Sequence, residues 1–276
     1  MKLSGPEEVT VPAIVRRERI QRLLEERGFV RVREVCEAFG VSGVTVRADL
    51  EVLAAANLLR RVHGGAVPAL PNRVSEREAA FEEALESSVI PKQQIGDIAA
   101  SLVSSGQSVI LDVGTTTLAI ARALCARTDL SDVVIITNGL SIALELESAI
   151  PRYTVIVTGG SLRPLQHSLV EPLATTVLSQ VHADLAFIGC NGVHVEHGVT
   201  NVNLPEAAIK SLMLGSAARA VVVADSSKLG RVHLGQVAPL SAFDTLITDA
   251  AAPPHLIAAL REAGLAVLVP VPSVSA

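Results

Sequence analysis

Aromatic residues are almost missing from this 276-residue chain: tryptophan does not occur, tyrosine occurs once, and aromatics make up 2%. Recognition of single-stranded nucleic acid by base stacking is disfavoured, because such sites lay successive bases on aromatic rings. Ala, Val, Leu and Ile must build the core instead, as they do where parallel strands are buried between helices. Cysteine is scarce too. Cys36, Cys125 and Cys190 are odd in number and far apart, a spacing that makes neither a disulfide framework nor a zinc motif. A reducing cytosol fits that usage. No run of 18 apolar residues is present, and the acidic start MKLSGPEEVTVP lacks the apolar stretch of a signal peptide. Neither a membrane span nor a signal peptide is expected.

What is present suffices for a sizeable core: 49% of residues are hydrophobic and the mean hydropathy is +0.45. The length allows two ordinary domains. A net charge of −5 hides an asymmetry. Residues 1–70 carry 11 Lys and Arg against 9 Asp and Glu, and the remainder carries 12 against 19. A near-neutral to basic head on an acidic body suggests two modules with different partners.

In the head, Ile20, Leu23 and Leu24 fall at helical spacing in a segment that Pro12 opens and Gly28 closes. Val32, Val35, Cys36 and Phe39 make the stripe of a second helix. After the turn Gly40-Val41-Ser42, Ser42 suits the N-cap of a third helix with Val46, Leu50 and Leu53 inward. Leu58–Val62, a His-Gly-Gly turn and Ala66-Val67 predict a hairpin. Three short helices and a hairpin make a winged helix-turn-helix, whose third helix enters the major groove of DNA. Ser42 and Thr45 would offer hydroxyls to phosphate near a helix N-terminus, and Arg47 would reach a phosphate or a guanine edge. Arg60, Arg61 and His63 sit where the wing would meet the backbone.

Residues 1–70 are therefore expected to form the head, 71–90 a connector and 91–276 the body, with helices near 75–88 and 91–104. From Gly106 the texture changes. Strands are expected at 108–112, 133–137, 153–157, 184–189, 220–225, 245–249 and 265–269, alternating with Ala/Leu-rich helical stretches. That alternation predicts a mainly parallel α/β domain with helices on both faces of the sheet. The first strand ends at Asp112 and runs through Gly114-Thr115-Thr116-Thr117 into a helix, which brings hydroxyls and free N–H groups together for an anion such as phosphate. Four more strands end in small polar loops, at Thr137-Asn138-Gly139, Thr158-Gly159-Gly160, Gly189-Cys190-Asn191-Gly192 and Asp225-Ser226-Ser227-Lys228. Open sheets bind ligands at such ends. Of the four lysines, Lys210 and Lys228 fall near these blocks. Glu206 and Lys210, four apart, could equally be a plain helix pair.

The stretch from RRERI through FGVSGVTVRADLEVL to LLRRVHGGA resembles the N-terminal domain of the DeoR family of transcriptional regulators. The later blocks ILDVGTTT, TNGLSIALEL, TGGSLR, AFIGCNGV, GVTNVNLPEAAIK and VVVADSSKLGR are similar to that family's effector domain. The resemblance covers residues 14–270. It implies DNA contacts at Ser42, Thr45, Arg47, Arg60, Arg61 and His63, and a body related in fold to ribose-5-phosphate isomerase and CoA transferases. It also implies a sugar-phosphate site involving Asp112, Gly114, Thr115, Thr116, Thr137, Asn138, Glu206, Lys210, Asp225 and Lys228. Ala48 stands where the family carries a second Arg, and Gly43 where a larger residue is common. Glu171 replaces the Gly that usually precedes Pro172, a charge expected to narrow or re-aim the pocket.

The expected function is a cytoplasmic DNA-binding regulator, a repressor rather than an activator. Duplex operator DNA and a phosphorylated sugar would be its partners, and a homo-oligomer, dimer or tetramer, its working form. The alternative is a sugar-phosphate isomerase-like enzyme carrying a DNA-binding domain, with Asp112, Glu206 and Asp225 as candidate bases. No catalytic residue and no cofactor is assigned. The histidines show no metal spacing: His194 and His197 are three apart without a third ligand nearby.

Overall fold

The computed structural model describes residues 11–27, 29–55, 58–62, 64–68 and 78–270. They fall in two compact units, Met1–Asn72 and Arg73–Ala276.

In the head, α1 (Ala13–Arg27), the two-residue strand β1 (Val30–Arg31), α2 (Val32–Phe39) and α3 (Gly43–Ala55) precede β2 (Leu59–Val62) and β3 (Gly65–Pro68). The expected inward residues do meet. Ile20, Leu24, Val35, Val46, Leu50, Leu53 and Leu59 form one buried cluster, to which Val30 and Ala66 add the strands. The wing is antiparallel, with Arg60 opposite Val67 and Arg61 opposite Ala66. The short β1 joins it at β3, a strand too brief to show in the sequence. Ser42 Oγ accepts the Thr45 N–H at 3.2 Å and so caps α3. A further lock was not foreseen. Asp49, 2% exposed, accepts the Nε–H of Arg16 and, at 2.8 Å, of Arg17, clamping α3 to α1.

The body opens with α4 (Phe81–Glu86), α5 (Val89–Ser101), β4 (Ser108–Leu111), α6 (Thr115–Ala126), β5 (Val133–Thr137), α7 (Leu140–Leu146) and β6 (Tyr153–Val157). It continues with β7 (Ser161–Arg163), β8 (Ser168–Val170), α8 (Leu173–Leu178), β9 (Ala183–Gly189), β10 (Gly192–His194), β11 (Gly198–Asn201) and α9 (Leu204–Gly215). Then come β12 (Ala217–Val223), β13 (Gly235–Ala238), β14 (Thr245–Ile247), α10 (Pro254–Glu262) and β15 (Ala266–Leu268). All seven expected strands join one parallel sheet in the order β15-β14-β12-β9-β4-β5-β6. Successive residues alternate between two cores. Val109, Leu111, Ile135, Leu185, Phe187, Val221 and Val223 face one, and Ile110, Ile136, Ala186, Ile188 and Val222 the other. Burial on both faces is why these strands read as unbroken apolar runs.

Two expectations about the helices need correction. The helix placed at 75–88 is only Phe81–Glu86, its residues 75–77 lie outside the described part, and the one placed at 91–104 is Val89–Ser101. Ser88 adopts φ 50°, which breaks the chain between the two helices. Pro91 sits within the first turn of α5 rather than at its start, a position where no intrahelical N–H is needed. Phe81 is buried in the body's core, so α4 is part of the body although it lies in the expected connector. The antiparallel pair β7–β8 and the sheet β10-β11-β13 were not read from the sequence.

Candidate functional site

On the head, α3 turns a mixed face to solvent. Val44 is 74% exposed, and Arg47 and Ala48 are exposed beside it. The hydroxyls of Ser42 and Thr45 lie 2.9 Å apart at the N-terminus of the helix. Arg47 shares a groove with Arg61, Val62 and Gly64 of the wing. Arg61 holds Glu51 at 3.2 Å, an exposed pair of little worth that leaves the guanidinium available to a phosphate. Arg60 is exposed on β2. His63 lies outside the described residues.

In the body, a cavity of about 130 Å³ opens where β4, β9 and β12 end. Gly114 takes φ 141°, a conformation L side chains rarely adopt, and turns the chain into α6. Thr115 and Thr116 line the cavity at that N-terminus. Thr117 lines it as well, but its hydroxyl donates to Gly114 O at 2.9 Å and serves its own turn. The loop after β12 contributes Asp225, Ser227 and Lys228. Asp225 Oδ1 accepts the Ser227 N–H at 3.1 Å and the Ser227 hydroxyl, which shapes the loop that presents Lys228.

Glu206 and Lys210 also line the cavity, and they are not a pair with each other. Lys210, 3% exposed, donates to Asp112 Oδ2, which also accepts the Gly189 N–H at 2.9 Å. Glu206 accepts the Ser168 hydroxyl at 2.6 Å and pairs with Arg163. Arg163 in turn holds Glu78 at 2.7 Å. A chain of alternating charges thus runs Asp112, Lys210, then Glu206, Arg163, Glu78. Burial pushes the Asp112 carboxyl up to about 6, against the pull of Lys210. Desolvation works against the Lys210 ammonium, yet Asp112 and Glu206 outweigh it and hold its pKa above the ordinary value.

Asp112 itself does not line the cavity. It is 0% exposed, lies under Gly189, and anchors Lys210 from behind. Thr137 and Asn138 do not line it either. β5 is the flanking strand beyond β4 in the sheet order, and neighbouring strands lie about 4.8 Å apart, so its loop ends beside the cavity. Thr137 Oγ1 accepts the Gly139 N–H at 3.1 Å. Asn138 takes the Val113 N–H at 2.9 Å and donates to Leu169 O, bracing the loop that carries Gly114. Glu171 is exposed and is not among the residues lining the cavity, so it neither narrows nor re-aims it.

Lys92 and Asn201 also line the cavity, and neither is among the site residues expected from the sequence. Lys92, 6% exposed, donates to the carbonyls of Ala84 and Ser87 at 2.5 and 2.7 Å, and burial pushes its pKa down. Asn191 and Asn201 offer amides, and burial pushes the Cys190 thiol up to about 12, leaving it neutral. Three ammonium groups, a helix N-terminus and several carboxylates and amides therefore surround one small space. Beside the two histidines His194 and His197, Glu196 brings a carboxylate oxygen that lies with their ring nitrogens within 4.8 Å of one another.

Comparison with known proteins gives concordant matches. The family model described as DeoR-like helix-turn-helix domain matches residues 16–69, and the DeoR C terminal sensor domain matches residues 88–250. HTH-type transcriptional regulator GlpR of Haloferax volcanii is 36% identical over 234 residues, 85% of this chain and 89% of that protein. The glycerol-3-phosphate regulon repressor of Escherichia coli K12 is 29% identical over 243 residues, 88% of this chain and 93% of that protein. Among solved structures, ribose 5-phosphate isomerase A of Methanocaldococcus jannaschii aligns over 52% of this chain and 55% of its own. At 19% identity and a TM-score of 0.39 that likeness is slight. No helix among the described residues is long and apolar enough to cross a membrane.

Proposed function

The chain belongs to the DeoR family of transcriptional regulators, and from that premise we propose that it is a cytoplasmic repressor controlled by a phosphorylated sugar or polyol. The head holds operator DNA, and the effector enters the cavity at the ends of β4, β9 and β12. The observation that carries this reading is the charge layout of the cavity. The N–H groups of α6, the Thr115 and Thr116 hydroxyls and Lys228 converge on one space, which suits a phosphate. Glu206, Asn191, Asn201 and Asp225 surround the remainder, which suits hydroxyl groups. Asp225 and Glu206 would repel a phosphate placed against them, which sets the direction of the ligand. A relative named for the glycerol-3-phosphate regulon agrees in class, since glycerol 3-phosphate is a phosphorylated polyol.

The isomerase alternative finds less support. A general base must reach the proton it removes. Asp112 lies behind the cavity wall, Glu206 is held by Arg163 and Ser168, and Asp225 is engaged by Ser227. We also infer a homo-oligomer, because operators are read as paired half-sites by two-fold symmetric proteins.

The DNA part is tested by operator binding across a salt series. Arg47→Ala is expected to weaken specific binding by about 1–3 kcal/mol, while affinity of both proteins falls steeply with salt. Unchanged operator affinity in that variant at every salt concentration would remove Arg47 from the interface.

A further inference from the structure

The β10–β11 hairpin carries chemistry that neither DNA binding nor the effector cavity uses. Its strands pair in register from Gly192–Thr200 to His194–Gly198, leaving Val195, Glu196 and His197 as the tip. The ligand atoms of His194, Glu196 and His197 all lie within 4.8 Å of one another. The two imidazole rings lie with centroids 5.0 Å apart and planes tilted by 38°. We propose that this turn is a binding site for a borderline divalent transition ion of the zinc class, held by His194, Glu196 and His197.

Two imidazoles and one carboxylate are the donor set such ions take, with water filling the remaining positions. Metal–ligand bonds of about 2.0–2.2 Å put ligand atoms roughly 3.3–3.5 Å apart in a tetrahedral site. Closing from 4.8 Å is a matter of side-chain rotation, since Glu196 and His197 are exposed. The turn beneath them is fixed. Gly198 takes φ 70°, and a Cβ there would lie 2.3 Å from Ala238 O, so the hairpin end is seated directly on β13. One ring nitrogen of His194 already serves as an acceptor. Its Nδ1 accepts the Glu196 N–H at 3.1 Å, so in the neutral ring Nδ1 holds the lone pair and Nε2 the proton. An ion binding at Nδ1 displaces one hydrogen bond and no proton.

The site has a structural reach. The same hairpin begins after Asn191 and ends at Asn201, both of which line the effector cavity, and Asn191 Oδ1 accepts the Val202 N–H at 2.9 Å. An ion at the tip staples the two strands that position these amides.

The test is calorimetric titration of the full chain, stripped with chelator, with Zn²⁺ alone in a non-coordinating buffer. One high-affinity ion per chain is expected, together with a rise in melting temperature that chelator reverses. Glu196→Gln, His194→Ala and His197→Ala should each weaken binding by about tenfold or more. Co²⁺ should give a visible d–d spectrum in the wild type that the His194→Ala/His197→Ala variant lacks. Absence of Zn²⁺ binding, or binding of the same affinity and stoichiometry in that double variant, would overturn the assignment. The double variant folds if its chelator-treated melting temperature matches the wild type, which keeps loss of binding distinct from loss of structure.

Discussion

Lys210→Met should cost the body about 3–5 kcal/mol, because removing one partner of a buried ion pair strands the other. Asp112 would keep only the Gly189 N–H, with its Oδ1 already without a partner among the described residues. Melting temperature should fall on the order of 10 °C. The pH dependence gives a second signature. In the folded wild type the Asp112 carboxyl is raised to about 6 from an ordinary 3.8. Between those values the folded state keeps a proton that the unfolded chain has lost, so Asp112 makes stability decline as pH rises from about 4 to 6. Without Lys210 the carboxyl rises further and the decline extends above pH 6. Thermal melts of wild type and variant between pH 4 and 8 check both parts. Asp112→Leu on top of Lys210→Met should recover part of the loss, since an apolar pair leaves no stranded charge. A Lys210→Met protein within 1 kcal/mol of wild type, with the same pH profile, would show that Lys210 does not carry this charge.

A second large effect is expected in the head. Asp49→Ala leaves Arg16, 6% exposed, without its carboxylate, and about 3–5 kcal/mol should be lost where α1 meets α3. A small helical domain has little stability to spare. Operator binding should therefore vanish through unfolding of the head, while the melting transition of the body stays where it was. Arg47→Ala, by contrast, should lose operator binding with the head intact. Retained head structure and operator affinity in Asp49→Ala would show that the clamp is dispensable.

These two clamps mark where the sequence stops being readable. Helix and strand periods are local, so Val46, Leu50 and Leu53 or the run Val133–Thr137 declare their element from a few neighbours. Asp49 answers Arg16 from 33 residues away, and Glu206 meets Arg163 across 43. Such pairings are set by tertiary packing, and spacing alone left the reading of Glu206 and Lys210 as a plain helix pair open. The strand-end loops show the same division. Each was visible as a small polar stretch, but which of them share a cavity depends on strand order. β12, β9 and β4 are neighbours, while β5 and β6 continue the sheet to one side. Thr137 and Asn138 consequently lie buried beside the cavity rather than in its lining. The strands β7, β8 and β10 are three residues each, too short for alternation to show. The nearness of Glu196 to both His194 and His197 exists only once the turn has closed.

Effector control of DNA binding is decided by one titration of labelled operator DNA with the full chain. The titration is run without addition, with glycerol 3-phosphate or another polyol phosphate, and with the unphosphorylated polyol at equal concentration. A matching phosphorylated ligand should shift operator affinity by about 5–150-fold, corresponding to 1–3 kcal/mol of coupling. The parent polyol should leave it unchanged, and Lys228→Ala should keep the ligand-free affinity while losing the shift. Equal shifts from phosphate and parent polyol, or a full shift in Lys228→Ala, would contradict a phosphate bound between α6 and Lys228.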